Sequence, residues 1–474
     1  MKKHVKIVEE TTRIRLTRNV STGNFWIDMG LVVLLEHFGE GEYDIQEVLG
    51  WLSKKLRKGR GWAYPASLFI NPQAKPENLL KSLSKGMQVC DMCNKHSRII
   101  EAKMWMFPFL VDPQKFANFY SGTKRGLRLC ARCALAGLAG YLGWFWKQWS
   151  EPRQLKRKRN VLHFFIFHTE LEELRRLYRE VLRPLTIEGE KGGNAPIAFS
   201  GSYIHETALG LLMALFAHVC QSDRLSNEGR QYLAEVLGAL PDKPPSPLTL
   251  YAVTGTSGRA FNMHALWEFN KLQSLYRLYE RWMETLKQKD SNPHQRLVAI
   301  LRQFEAQRDH NRESIWRDRI AWAIMEFGDP FPFVEEFLFE VRAREKNSRP
   351  LEYGTMDVFN QYLREVLDMD EKFQRMLTGF GHSLGEAAQE QGEMGLLYAL
   401  RNAKNPEEFY RVLNDIQFRL NLTIPEDLLK IEKGERIAGV PWMRVKTLLS
   451  IYAMNSYLRR GSSQEKERIE TKEG

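Results

Sequence analysis

Cysteine is scarce, with five in 474 residues. That is too few for a small disulfide scaffold and agrees with a reducing compartment. Long apolar runs are missing as well: the two longest, at 207–222 and 133–146, fall short of the ~20 residues a membrane-spanning helix needs. No apolar stretch follows the basic start Met1-Lys2-Lys3, so no secretory signal is expected and the chain is assigned to the cytoplasm. Motifs of the common hydrolases and nucleotide enzymes are also missing. No GxxxxGK[ST], HExxH, GxSxG or His-Asp doublet occurs. The eleven histidines are scattered, and His163 and His168 bracket an apolar strand, where they read as structural. Carboxylates abound without forming a recognisable nuclease cluster, so no enzyme is expected.

Apolar residues make up 43% of the chain and charged residues 27%. This supports real cores in two or three domains and excludes global disorder. The net charge of +11 is unevenly placed. Residues 51–160 hold 22 Lys and Arg against 5 Asp and Glu, while the other 364 residues hold 47 against 53. A solvated lysine-rich face is the ordinary source of a charge run. An excess this long, with arginine as well as lysine, points instead to a polyanion such as nucleic acid.

The hydrophobic pattern predicts a helix-rich α+β chain. Residues 1–345 form the mixed N-terminal domain, with strands expected at 12–17, 67–71, part of 98–110, 161–167, 195–200 and 247–254. Helices are expected at 27–38, 45–57, 169–182 and 205–220, then from 263 to about 342 with breaks at Asn292-Pro293 and Gly328-Asp329-Pro330. Residues 350–460 show apolar faces at steps of three and four, as in Phe409, Val412, Leu413 and Ile416, the pattern of a C-terminal helical bundle. The polar tail 461–474 is expected to be disordered.

Four of the cysteines fall in two pairs, Cys90-Asp91-Met92-Cys93 and Cys130-Ala131-Arg132-Cys133. A CxxC turn offers two sulfurs to one metal, and two turns complete a closed tetrahedral zinc site with no open position for a catalytic water. This predicts a structural Zn2+ held by Cys90, Cys93, Cys130 and Cys133 in a zinc-finger-like module at about 86–150. Chance pairing and a redox CxxC are the competing readings, and a redox motif would use one pair only. His96 is a spare donor. Cys220 reads as an ordinary buried cysteine.

The basic residues cluster around this module. Lys54, Lys55, Arg57, Lys58 and Arg60 precede it, Lys124, Arg125, Arg128 and Arg132 lead into the second pair, and Arg157, Lys158 and Arg159 follow. Arg132 apart, these are the expected DNA-binding residues. Trp144, Trp146 and Trp149 are assigned to the core of an amphipathic helix, with base stacking as the alternative. Two Gly-rich loops, at 191–194 and 254–259, bring Lys191, Asn194, Arg259 and Asn262 forward as candidate readers of base edges, ordinary turns being the competing reading.

The stretch Thr22-Gly23-Asn24-Phe25-Trp26-Ile27-Asp28-Met29-Gly30, the segment Leu68-Phe69-Ile70-Asn71-Pro72, and the two widely spaced CxxC pairs followed by an apolar helix resemble the CRISPR-associated CXXC–CXXC family. These are Cas-eight-type large subunits of type I Cascade complexes. The resemblance covers about residues 15–145, and beyond them only the architecture agrees. Phe25 stands where the family commonly has proline. The resemblance implies a non-catalytic subunit of an RNA-guided prokaryotic antiviral complex. Such a subunit binds guide RNA and target double-stranded DNA, recognises the protospacer-adjacent motif and helps R-loop formation. Its implied partners are the backbone and small subunits of Cascade and a recruited helicase-nuclease or transposition proteins, with no membrane. In related systems the C-terminal bundle is also made from an internal start, for which Met356 is the candidate. A stand-alone zinc-containing nucleic-acid-binding protein is the main alternative, and a metal-dependent nuclease is a further one.

Overall fold

Asn24 begins the first long helix: its side-chain oxygen accepts hydrogen bonds from the amides of Trp26 and Ile27, which otherwise lack partners in the first turn. The computed structural model describes residues 12–473 apart from 20, 72, 82, 104, 107–126, 150–159, 188–191, 241–248, 257–261, 269–270, 309–310 and 346–347. It is a helix-rich α+β structure. It divides into one unit of residues 1–196 with 214–273 and a second of 197–213 with 274–474.

In the first unit, β1 (Arg13–Leu16) pairs antiparallel with β2 (Gly41–Asp44) around α1 (Phe25–Phe38), and α2 (Ile45–Leu56) follows. A tight hairpin of β3 (Arg57–Lys58) and β4 (Gly61–Trp62) turns at Gly59, whose φ of +63° suits glycine. β5 (Met87–Val89), β6 (His96–Glu101) and β7 (Arg128–Cys130) make a small antiparallel sheet that runs into α3 (Ala131–Ala139).

The larger sheet has the order β11-β10-β9-β8, with β8 at Phe145–Trp149, β9 at Asn160–Phe167, β10 at Thr249–Thr256 and β11 at Asn262–Glu268. Residues 161–166 of β9 are all buried, so the strand reads as a continuous apolar run with both faces covered. On one face Phe165 meets Phe25 and Trp26 of α1, with ring centroids 5.0 and 6.2 Å apart. On the other, Ile166 joins Leu177, Val181, Leu215 and Leu233. These come from α4 (Leu171–Leu177), the π-helical turn Tyr178–Leu182 that extends it, α5 (Ile204–Cys220) and α6 (Asn227–Val236).

The second unit is mainly helical: α7 (Leu272–Lys287), α8 (Pro293–Arg302), α9 (Ile315–Met325), α10 (Phe331–Glu340), α11 (Thr355–Glu365), α12 (Glu371–Glu390), α13 (Met394–Asn402), α14 (Pro406–Leu420) and α15 (Trp442–Glu473). The Asn-Pro breaks are helix starts. Asn292 and Asn405 cap α8 and α14, each followed by proline at the first helical position. α15 is buried all round over 446–456, so it forms the unit's centre. Gly385 of α12 lies so close to it that an added Cβ would sit 2.1 Å from the Ala453 carbonyl oxygen. A buried ion pair, Glu206 with Arg317, is completed by Ser314 and by Glu305 at 3.0 Å. Among the described residues no helix is long and apolar enough to cross a membrane.

Several expectations differ from this structure. Residues 263–268 are strand, not helix, because they find cross-strand partners in β10, from Met263 opposite Gly255 to Glu268 opposite Tyr251. Residues 67–71 contain a 3-10 turn, Ala66–Leu68, and 195–200 carry no strand. The tryptophan segment is strand β8: Gly140 and Gly143 interrupt the helix, and aromatic residues suit a sheet. The tail is helical to Glu473, since Gln, Glu, Lys and Arg extend a helix that is already nucleated. Residues 274–345, expected with the N-terminal domain, belong to the unit that holds the C-terminal helices. Trp282, for example, donates its indole N–H to the Val358 carbonyl at 3.1 Å.

Candidate metal centre and a cationic cavity

The two CxxC pairs, with 36 residues between them, are brought together by the β5-β6-β7 sheet. The first forms the turn between β5 and β6, where Asn94 adopts φ +54° and its amide donates to the Cys90 carbonyl at 2.9 Å. The second pair ends β7 and opens α3: Cys130 is the N-cap and Cys133 lies in the first turn, where the helix dipole favours a thiolate. Asp91 and Arg128 clamp the two pairs. The Asp91 amide donates to the Arg128 carbonyl at 2.9 Å, the Arg128 amide donates to the Asp91 carboxylate at 2.7 Å, and the guanidinium meets that carboxylate at 3.3 Å.

All four sulfurs lie within 4.8 Å of one another, with Cys93 and Cys130 Sγ 3.8 Å apart. Such crowding sets the thiols against each other. Hydrogen bonds from Cys130 and then Cys133 bring the Cys90 thiol down to about 6, whereas Cys130, Cys90 and Cys93 together hold Cys133 well above its ordinary value. A cation resolves that conflict, because a coordinating thiol is deprotonated outright. The buried Arg132 fits the same account. Burial disfavours its charge, but Cys133, Cys93 and Cys130 outweigh that and hold its pKa up. One guanidinium nitrogen, Nη2, has no hydrogen-bond partner, as suits a cation facing a four-cysteine cluster. The four cysteines can therefore hold a metal ion. His96 is exposed on β6 and outside the cluster.

The helix that carries Cys133 is locked onto α1. Trp26 donates its indole N–H to the Gly137 carbonyl at 2.8 Å, and Asp28 accepts from Ser21 Oγ and from Thr22 N and Oγ1, each at 2.7 Å. Gly30 permits the close approach, since a Cβ there would sit 1.7 Å from the Ala136 carbonyl oxygen. The segment 22–30, singled out in the sequence, thus docks the cysteine-bearing helix.

The basic residues have different fates. Lys54 and Lys55 are exposed in the last turn of α2, and Lys58 and Arg60 are exposed on the β3-β4 hairpin. Arg57 is half-buried, donates to the Arg60 carbonyl at 3.0 Å and lies 5.9 Å from the Trp62 ring, so it braces the hairpin. Arg128, an expected DNA contact, is engaged in the clamp and also donates to the Gln88 side-chain oxygen at 3.2 Å. Lys124, Arg125, Arg157, Lys158 and Arg159 lie outside the described residues, as do Lys191 and Arg259. Asn194, a candidate base reader, has its amide occupied at both ends: it accepts from Trp146 N at 2.7 Å and donates to the Trp144 carbonyl at 2.9 Å, covering the edge of β8. Asn262 begins β11, with its side chain outside the described residues. Trp144 is core, whereas Trp146 is half-buried. Cys220 is exposed at the end of α5, where a buried residue was expected.

Sequence reasoning missed a cavity of about 1000 Å³ in the first unit. Trp51, Tyr64 and Trp146 line it, together with Lys55, Lys58 and Arg183. His37 also lines it, stacked on Trp51 at 4.1 Å and 16°. Burial and then the Lys55 charge lower the His37 pKa, so this stacked pair is neutral near pH 7. The aromatic residues stand 13 and 82 positions apart in the sequence, and no local motif joins them. Neither the models of known protein families nor the curated proteins gave a match to the chain.

Proposed function

We propose that the chain is a non-catalytic nucleic-acid-binding subunit of the kind its sequence resembles, the large subunit of a type I Cascade complex. In this reading it binds target DNA, reads the protospacer-adjacent motif, helps open the duplex and presents it to a recruited partner. The observation that carries the nucleic-acid reading is the exposed cationic segment Lys54, Lys55, Lys58 and Arg60, which folds as a helix end and a hairpin on a scaffold that also holds the four cysteines. Closely spaced exposed cations are what a phosphate backbone requires.

The metal in this reading is zinc, since four thiolates suit a soft tetrahedral site closed to substrate. Cys90, Cys93, Cys130 and Cys133 would hold it, and it would supply cohesion between β5, β6 and α3, not a reactive centre. Co-purification tests the assignment. Expressed with its neighbouring genes, the chain is expected to elute with a discrete guide RNA and backbone subunits. Elution alone, or clean metal-dependent cleavage of DNA by the isolated chain, contradicts it.

A further inference from the structure

We infer that the cavity of about 1000 Å³ in the first unit binds a nucleotide unit, with its base against the aromatic wall and its phosphate on the cationic rim. This rests on the nucleic-acid reading above and deepens it by naming a site. The volume is at the upper end for small-ligand pockets, enough for a nucleotide and part of the next.

Two features select the ligand chemistry. The first is charge. Lys55, Lys58 and Arg183 line the cavity and, among the described residues, none has a carboxylate partner. Among the described residues the one carboxylate in the wall, Glu36, is already held by Arg175 at 2.5 Å. A concave wall of one sign concentrates anions. The second feature is flat aromatic surface. Trp51, Tyr64 and Trp146 are all half-buried, so part of each remains accessible. Tyr64 and Trp146 lie 5.0 Å apart, and Trp51 carries His37 stacked on it. An apolar chain would leave the cations without partners, and an acidic peptide would leave the aromatic faces unused. A nucleotide uses both, stacking its base and placing its phosphate on lysine or arginine.

Tryptophan fluorescence of the full-length protein, with binding confirmed by calorimetry, tests the assignment. The probes are single-stranded uridine hexanucleotide, uridine monophosphate, inorganic phosphate and a 24-base-pair DNA duplex. The hexanucleotide is expected to quench the emission. Trp146→Ala should weaken its binding roughly tenfold and Trp146→Phe should restore most of it. Lys58→Ala, at an exposed hairpin position where folding is not at stake, should weaken binding and flatten its salt dependence. If uridine monophosphate binds as tightly as the hexanucleotide, with the same Trp146→Ala loss, the site stands and its occupant is a free nucleotide. If inorganic phosphate displaces the hexanucleotide as well as the mononucleotide does, no base is stacked and the inference falls. If the duplex binds while folded Trp146→Ala and Lys58→Ala bind the hexanucleotide like the wild type, the cavity assignment falls and the nucleic-acid reading survives. If no probe binds the folded wild type, both fall.

Discussion

Gly30→Ala tests whether the docking of α1 on α3 sets the stability of the first unit. The added Cβ would lie 1.7 Å from the Ala136 carbonyl oxygen and 3.0 Å from the Gly140 amide nitrogen, against 3.4 Å or more for an ordinary contact. Both obstacles are backbone, so no side chain can swing aside. The helices must separate by roughly 1.5 Å, which strains the Trp26–Gly137 hydrogen bond and costs at least the ~3 kcal/mol of severe overpacking. Alanine favours a helix over glycine by about 1 kcal/mol, leaving a net loss of roughly 2–4 kcal/mol. For a unit of this size that lowers Tm by roughly 5–10 °C. Gly50 is the matched control: it lies in α2, and a Cβ added there would have nothing within 4 Å, so Gly50→Ala should raise Tm by a few degrees. Thermal melting followed by circular dichroism reads both. A Gly30→Ala protein that melts at or above the wild-type temperature refutes the reasoning.

Three further outcomes are expected. Cys130→Ser, or chelation of the wild type, should abolish metal binding and unfold β5, β6, β7 and α3. A four-ligand zinc site is worth ~10–16 kcal/mol in small modules, comparable with a domain's whole stability; a folded, metal-free wild type measured by mass spectrometry would falsify this. Burial lowers the His163 pKa to about 3, below its unfolded value of 6.5. Stability is therefore full above pH 6.5 and is lost as pH falls from there towards 3, by roughly 2 kcal/mol between pH 7 and 5. His163→Phe, which keeps the ring beside Phe165, should remove that part of the acid sensitivity, and an unchanged pH profile of denaturant unfolding would count against it. A fragment starting at Met356 should aggregate, because it loses the Trp282–Val358 hydrogen bond and the rings of Phe304 and Phe331, 6.0 and 5.7 Å from Phe359. A soluble monomeric fragment on size-exclusion chromatography would show that the bundle folds without α7 to α10.

The four-cysteine cluster was legible because its members come in two short turns, each fixed by local spacing: Cys90 with Cys93, and Cys130 with Cys133. The helical faces of α11, α14 and α15 were legible for the same reason, since a period of 3.6 residues is a local signal. Strands β8 and β11 were not. Phe145 and Met263 sit in apolar runs whose length suits either state, and only cross-strand partners decide between them. The boundary between units was also hidden, because Trp282 and Val358 lie 76 positions apart and composition does not change between them. Charge counting could not separate Lys58, which is exposed, from Arg128, whose guanidinium closes the cysteine clamp. The cavity was out of reach for the same reason: Trp51, Tyr64, Trp146 and Arg183 come from four separate segments.

The claim that this chain is a nucleic-acid-binding subunit is tested most directly by the salt dependence of duplex DNA binding, measured by fluorescence anisotropy. The four exposed cations Lys54, Lys55, Lys58 and Arg60 predict a log–log slope of about −3.6 or steeper for the wild type. The slope should be reduced by about 2 in Lys58→Ala/Arg60→Ala. No binding at low salt, or a slope that the double substitution leaves unchanged, would contradict the account.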